Sequence, residues 1–305
     1  MPFRAGYVAL VGRPNVGKST LLNAVVGHKV SIVSDKPQTT RRRVVGVAHG
    51  VQEDGSGYQI AFIDTPGIHE PHNRLGRAMV EAARAALGEA DLVLAVVDSS
   101  VPISEGERRI GEQVRAAGLP TLLCLNKMDL LKAEFVQRNT EEYGSVFGAA
   151  DSMLTIATRG ENLDLLVALI VERLPERPPI FAPDEYTDAT ARFLSSELVR
   201  EKILQATRQE IPHAVAVRVD EWTDEPAEKG GRGRTFIRAT IVVEKASQRA
   251  ILIGKGGQFI KSIGTAARGE IEKMIGRNVF LELFVKVEEG WRQNPRLLHE
   301  LEFEV

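Results

Sequence analysis

Over the first half of the chain, short apolar runs rich in Val, Ile and Leu alternate with longer segments whose apolar residues recur at three- and four-residue steps. The runs at 7–11, 44–50, 58–63, 92–97, 122–125 and 153–156 read as strands. The segments at 73–87, 105–117 and 162–173 read as helices, each able to cover one face of a sheet. Strands separated by helices in this way give a mostly parallel sheet in a doubly wound α/β domain.

The pattern breaks at 174–183, where Pro175, Pro178, Pro179 and Pro183 lack amide donors and fix the backbone extended, so that neither a helix nor a central strand continues. A first domain over 1–178, a linker over 179–190 and a second domain over 191–305 are expected. In the second domain 195–210 has the period of an amphipathic helix, and 214–219 and 235–244 alternate like strands around a flexible turn at 228–234. A helix ending near Ile253, a glycine turn, a second helix through Ile275 and a strand at 279–287 complete a small α+β domain.

Composition narrows the class without choosing a function. A chain of 305 residues has room for two cores, and 43% hydrophobic with 26% charged residues argues against disordered or fibrous protein. The formal charge of -2 supplies no general attraction to nucleic acid, so a polyanion would be held by a local basic patch. Cys124, the single cysteine, rules out a disulfide within the chain and lies in the apolar run 122–125, where a buried thiol is expected. No secretory leader and no membrane-spanning run is read from the sequence, so a reducing, cytoplasmic setting is expected.

Candidate chemistry begins where the first strand ends. Gly12-Arg13-Pro14-Asn15-Val16-Gly17-Lys18-Ser19 carries the G-x-x-x-x-G-K-[ST] pattern, and a helical segment opens at Thr20. A phosphate chain needs several amides at close range, which glycines permit and a helix N-terminus reinforces; Lys18 supplies a cation and Ser19 a hydroxyl for Mg²⁺. After the third strand, Asp64-Thr65-Pro66-Gly67 offers a carboxylate that can hold Mg²⁺ through water and a Gly67 amide that can sense a γ-phosphate. Asn126-Lys127-Met128-Asp129 follows the fifth strand, at the carboxyl edge where open α/β sheets collect ligands. There the Asp129 carboxylate can accept from guanine N1–H and the exocyclic amino group, a pair that adenine does not offer. Asn126 would brace the loops and the Lys127 stem would lie along the base, which makes GTP and GDP the expected ligands.

These segments, in this order, resemble the translation-factor-like class of P-loop GTPases. The resemblance implies a second metal-binding threonine in Pro37-Gln38-Thr39-Thr40-Arg41, with Thr40 the better candidate and Thr39 the second. Lys18, Thr40 and Gly67 then form the catalytic set. It also implies a guanine-binding amide after the last strand, where Ile156-Ala157-Thr158-Arg159-Gly160 lacks the usual serine and leaves Ala157 to present its N–H. Ile68 stands where a water-orienting glutamine is often found, so intrinsic turnover is expected to be slow, on the order of 10⁻³ s⁻¹. Related GTPases with an Asn in the phosphate loop hold a monovalent cation there, which makes Asn15 the candidate contact for K⁺.

In the second domain, Ile253-Gly254-Lys255-Gly256-Gly257 sets a Gly-x-x-Gly turn between two apolar helical segments. K-homology modules use such a turn to admit an RNA backbone beside an apolar groove for unpaired bases. Arg249, Gly254, Lys255, Gly256, Gly257 and Lys261 are the expected RNA-facing residues, and the order of elements suggests the second K-homology topology. Trp291 is read as closing a small core rather than as a stacking platform. With Tyr186-Thr187-Asp188 and the segments 195–202 and 281–287, the chain resembles the bacterial Era family over almost its whole length. That resemblance implies a GTP-hydrolysing switch that acts in assembly of the small ribosomal subunit, binds near the 3′ end of its ribosomal RNA, and associates in part with the inner face of the membrane. A monomer is expected. The rival reading is a nucleotide-regulated protein- or membrane-interaction module whose glycine turn is only architectural.

Overall fold

The computed structural model describes residues 3–67, 71, 73–208, 211–226 and 233–303, which form two compact units with their main division between Asp188 and Ala189. The first unit holds a six-stranded sheet of β1 (Arg4–Val11), β2 (Val44–Val51), β3 (Gly57–Asp64), β4 (Leu92–Asp98), β5 (Thr121–Asn126) and β6 (Asp151–Thr155). Its spatial order is β2-β3-β1-β4-β5-β6, with β2 antiparallel to β3 and every other pair parallel. The accompanying helices are α1 (Lys18–Val26), α2 (Arg74–Glu89), α3 (Glu105–Ala117), α4 (Val136–Phe147) and α5 (Leu163–Arg173). Alternate residues of the central strands feed opposite cores. Val8 and Leu10 join Leu22, Phe62 and Ile170 on one side, whereas Ala9 and Val11 join Ile110, Val114, Tyr143 and Phe147 on the other.

This is the doubly wound sheet expected from the apolar runs. One helix was not legible: α4 is polar along most of its length and buries only Tyr143 and Phe147, one turn apart. Because β1 lies between β3 and β4, the connections leave it in opposite directions, and the loops after β1, β3 and β5 meet above the carboxyl ends of the strands.

Residues 179–188, expected as a linker, are instead fastened along the first unit. Buried Gln59 accepts from the amides of Ile180 (2.6 Å) and Phe181 (2.9 Å) and donates to the Phe181 carbonyl (2.9 Å). Farther along, Val47 N–H donates to Tyr186 O at 2.9 Å and Val45 N–H to Asp188 Oδ1 at 2.9 Å. The reason is edge chemistry. β2 is the outer strand, its outward amides need acceptors, and an extended segment supplies oxygens even where proline denies it donors.

The second unit comprises α6 (Ala191–Ala206), α7 (Ile211–Ala214), β7 (Ala216–Glu225), β8 (Arg234–Val243), α8 (Ala246–Ile253), α9 (Gln258–Ile275), β9 (Asn278–Val287) and α10 (Pro295–Glu300). Its sheet runs β7-β8-β9, antiparallel then parallel. Helix α6 begins earlier than its apolar period suggests because Thr190 caps it, accepting from Phe193 N–H at 3.1 Å. It ends at Ala206, and Glu210, the expected terminus, lies outside the described residues. Most of the expected 228–234 turn also lies outside them, and Arg234 already belongs to β8. β7 extends to Glu225 through an irregularity between Val219 and Glu221. Trp291 is fully buried and its indole N–H donates to Ala214 O at 2.9 Å, the core role expected of it. Among the described residues, no helix is long and apolar enough to cross a membrane.

Candidate functional site

The loop 12–17 leaves β1 and feeds α1, so the first-turn amides of α1 face the loop. Gly17, with φ +105°, caps the helix where no side chain fits: an added Cβ would lie 2.2 Å from Asn126 Nδ2. Lys18 curls back over the loop, and its buried ammonium donates to the carbonyls of Gly12 and Arg13 at 2.9 Å each. Burial lowers the Lys18 pKa to about 8, against the opposing pull of Asp64. Asn15 takes φ +65° at the loop crest, Pro14 packs against Gly67, and Thr20 lies in the first turn of α1. Arg13 reaches outward to Glu107 Oε1 and Ser104 Oγ, both at 3.2 Å, tying the loop to the start of α3.

Asp64, at the end of β3, is fully buried. Its Oδ2 accepts from Ser31 Oγ (2.7 Å), Ser19 Oγ (2.8 Å) and Thr40 Oγ1 (3.4 Å), and the Ser19 and Thr40 hydroxyls stand 3.1 Å apart. Among the described residues, Oδ1 has no hydrogen-bond partner. Burial pushes the Asp64 pKa up, while Lys18 and the three hydroxyls oppose that shift. An orphaned carboxylate oxygen beside one hydroxyl from the first turn of α1 and another from the loop after it is a donor set of the hard, all-oxygen kind that Mg²⁺ prefers. Thr65, also buried, anchors the same turn by donating to Leu10 O at 3.0 Å, and Pro66 and Gly67 are buried after it. Ile68 lies outside the described residues.

On the other side of the loop, Asn126 joins three segments. Its Nδ2 donates to Val16 O at 2.9 Å, and its Oδ1 accepts from Ala157 N–H (3.0 Å) and Thr155 Oγ1 (3.3 Å). Bracing by Asn126 is thus present, but the Ala157 amide expected to face guanine is turned to the carboxamide, which needs donors in this buried place. Lys127 adopts φ +62° and its ammonium pairs with Asp98 Oδ2 at 2.7 Å. Met128 and Asp129 form the short turn that follows; the Asp129 carboxylate is 28% exposed and lies 3.8 Å from the Arg159 guanidinium. Ser31, Asp98, Glu107 and Arg159 were not anticipated, because each gains its place only from a contact between distant segments.

In the second unit, Gly254 has φ +71° and a Cβ there would strike Phe259 Cβ at 2.6 Å, so the turn between α8 and α9 is closed to side chains on that side. Lys255, Gly256, Arg249 and Lys261 are exposed, and Gly257 caps α9. Beside the turn lies a groove of about 250 Å³ between α9 and β9. Its lining mixes apolar Ile260, Phe280, Leu281 and Leu283 with the cations Lys261 and Arg268. Alternation along 279–287 pointed to a strand but not to which of its residues border α9.

The Lys18 shift has a measurable consequence. A polyphosphate favours the ammonium, so binding raises the Lys18 pKa above its value near 8, and above that pH the empty site must take up a proton to bind. Nucleotide affinity should therefore fall as pH rises from 8 toward 10, with net proton uptake detectable as a buffer-dependent heat in calorimetry. In the empty protein the sign is opposite: a lysine whose pKa is depressed on folding binds fewer protons folded than unfolded, so its penalty is relieved as pH rises through the same window.

A family model described as 50S ribosome-binding GTPase matches residues 7–127, and one described as KH domain matches residues 210–292. GTPase Era of Heliobacterium modesticaldum is 44% identical over 301 residues, spanning 99% of this chain and 97% of the relative. GTPase Era of Geobacter metallireducens is 45% identical over 300 residues, spanning 98% of each. Among solved structures, Era in complex with MgGDPNP and nucleotides 1506–1542 of 16S ribosomal RNA is similar at a TM-score of 0.92 and 39% identity, over 99% of this chain and 100% of that one. A variant of Aquifex aeolicus Era bound to GDP and aluminium fluoride gives 0.89 at 39% identity, over 99% of this chain and 100% of that one. With a phosphate loop, an acidic magnesium-type pocket and a glycine-turn RNA module in one chain that aligns end to end with such relatives, the protein belongs to the Era family of GTP-hydrolysing enzymes.

Proposed function

We propose that this GTPase uses its nucleotide state to control binding of the 3′ end of small-subunit ribosomal RNA, and so assists assembly of the small ribosomal subunit. The observation that carries the reading is the match along the full chain to an Era protein held with both a magnesium-bound GTP analogue and that RNA. The groove between α9 and β9 supports it, since apolar side chains mixed with the cations Lys261 and Arg268 suit unpaired bases and their phosphates. Nucleotide function resides in 1–178 and RNA function in 191–305. The protein acts as a cytoplasmic monomer, with a peripheral association at the inner membrane.

Ser19, Thr40 and Asp64 would hold Mg²⁺, which would supply positive charge to offset that of the nucleotide's phosphates. Residues 12–20 cradle the phosphates, with the Lys18 ammonium released from two backbone carbonyls to meet them. Thr40 and the Gly67 amide respond to the γ-phosphate, and Asp129 reads guanine between the Lys127 stem and the Ala157 loop. Guanine N1–H and the amino group replace the weak, long-range Arg159 pairing of Asp129 with two charge-assisted hydrogen bonds.

Three measurements test these roles. Asp129→Asn should shift preference from GTP toward xanthosine triphosphate by at least about 10²-fold, read by competition binding, because the amide donates where guanine also donates. Lys255→Glu combined with Gly256→Asp should weaken binding to a 3′-terminal small-subunit RNA by about tenfold or more, roughly 1.4 kcal/mol, with GTP turnover retained; unchanged RNA crosslinking would favour the protein- or membrane-interaction reading. Turnover in K⁺ should exceed that in Na⁺, with the difference lost in Asn15→Ala; equal rates throughout would remove Asn15 as a potassium contact.

A further inference from the structure

Tyr186-Thr187-Asp188 lies outside the 12–20, 64–67 and 126–129 segments, yet its three residues fasten both roots of the loop that carries Thr40. At the entry to that loop, just past the end of α1, the His28 ring stacks on Tyr186 with centroids 4.2 Å apart and planes 15° from parallel. At the exit, Asp188 Oδ1 accepts from Val45 N–H at 2.9 Å while Oδ2 pairs with Arg43 at 3.1 Å. Between these, Thr187 bridges Gly46 in antiparallel fashion and Tyr186 O accepts from Val47 N–H at 2.9 Å. Arg43 is the third residue beyond Thr40, and its other terminal nitrogen holds Glu89 at the end of α2 at 2.7 Å. Helix α2 is in turn the next helix after Asp64-Thr65-Pro66-Gly67.

We propose that Tyr186 and Asp188 are positioning residues that clasp the two ends of the Thr40 loop, and that this clasp converts the nucleotide state of the loop into a change in the chain leading to α6. The inference rests on the nucleotide-switch reading and names the route by which the switch leaves the first unit. The physical argument is one of shared partners. A γ-phosphate that draws Thr40 toward Ser19 and Asp64 pulls on Arg43 and on the start of β2, whose outward amides are bonded to the clasp rather than to water. Only Ala189 separates Asp188 from Thr190, whose hydroxyl caps α6, so a shift of the clasp is delivered to a helix start. A flexible tether would deliver nothing. The hydrogen-bonded, stacked segment seen here is what a mechanical link requires.

The test is hydrogen–deuterium exchange on the full-length protein with Mg²⁺ and either GDP or a non-hydrolysable GTP analogue. The expected result is exchange at least about threefold slower over 181–188 with the analogue. That nucleotide dependence should be lost over 181–206 in Asp188→Ala and Tyr186→Ala, kept at 12–20 in both, and restored in Tyr186→Phe, which retains the stack. If Asp188→Ala fails to fold, the Tyr186 pair decides alone. Equal exchange over 181–188 in the two nucleotide states of the wild type, or an unaltered dependence in Tyr186→Ala, overturns the proposal. RNA affinity measured with the same two nucleotides separates the layers: a clasp that responds while RNA affinity stays equal leaves the clasp standing and removes the coupling to RNA.

Discussion

The nucleotide site is organised by one buried carboxylate. Asp64 draws three hydroxyls onto a single oxygen, and those hydroxyls belong to the start of α1 and to two places in the loop that follows it. A carboxylate so desolvated is costly unless paired. Two short donors, Ser31 and Ser19, and the longer Thr40 contact reduce the cost but leave the second oxygen without a partner among the described residues. The all-oxygen character of the pocket suits a hard cation, and the shared carboxylate gathers Ser19, Ser31 and Thr40 around one point.

Lys18 and Asp64 share this pocket, and their shifts have a common origin. Each is pushed by burial toward its neutral form and pulled by the other toward its charged form, so the empty site is electrostatically uneasy. A triphosphate with its metal relieves both, giving the ammonium an anion and the carboxylate a dication. Asn126 fixes the other boundary by joining the Gly12–Ser19 loop to the end of β6 and the segment after it.

The second unit solves a different problem with simpler means. Its glycine turn is closed toward Phe259 and open outward, so a backbone can approach on one side only. The groove between α9 and β9 combines apolar surface with basic residues. With an overall formal charge of -2, attraction to RNA has to be local, and Arg249, Lys255 and Lys261 are exposed cations near the turn.

The strands of the first unit, the Gly12–Ser19 loop, the Asn126–Asp129 turn at the end of β5 and the glycine turn were legible in the sequence because each is local: period, spacing and glycine placement act over a few residues. Trp291 and Cys124 were legible as core for the same reason. Helix α4 was hidden by its polar surface, since two buried aromatics one turn apart make too narrow a stripe. The Pro-rich stretch read as a domain boundary and linker, because prolines report what a backbone cannot donate and say nothing of what its carbonyls accept. Whether 179–188 was bound depended on the outward amides of β2 and on the side chain of Gln59, more than a hundred residues away. Likewise the hydroxyl of Ser31 on Asp64 and the grip of Asn126 on Ala157 exist only once the sheet brings distant segments together. Sequence by itself determined which chemistry the chain carries; tertiary structure decided which groups are desolvated together, and hence where charge is left waiting for a ligand.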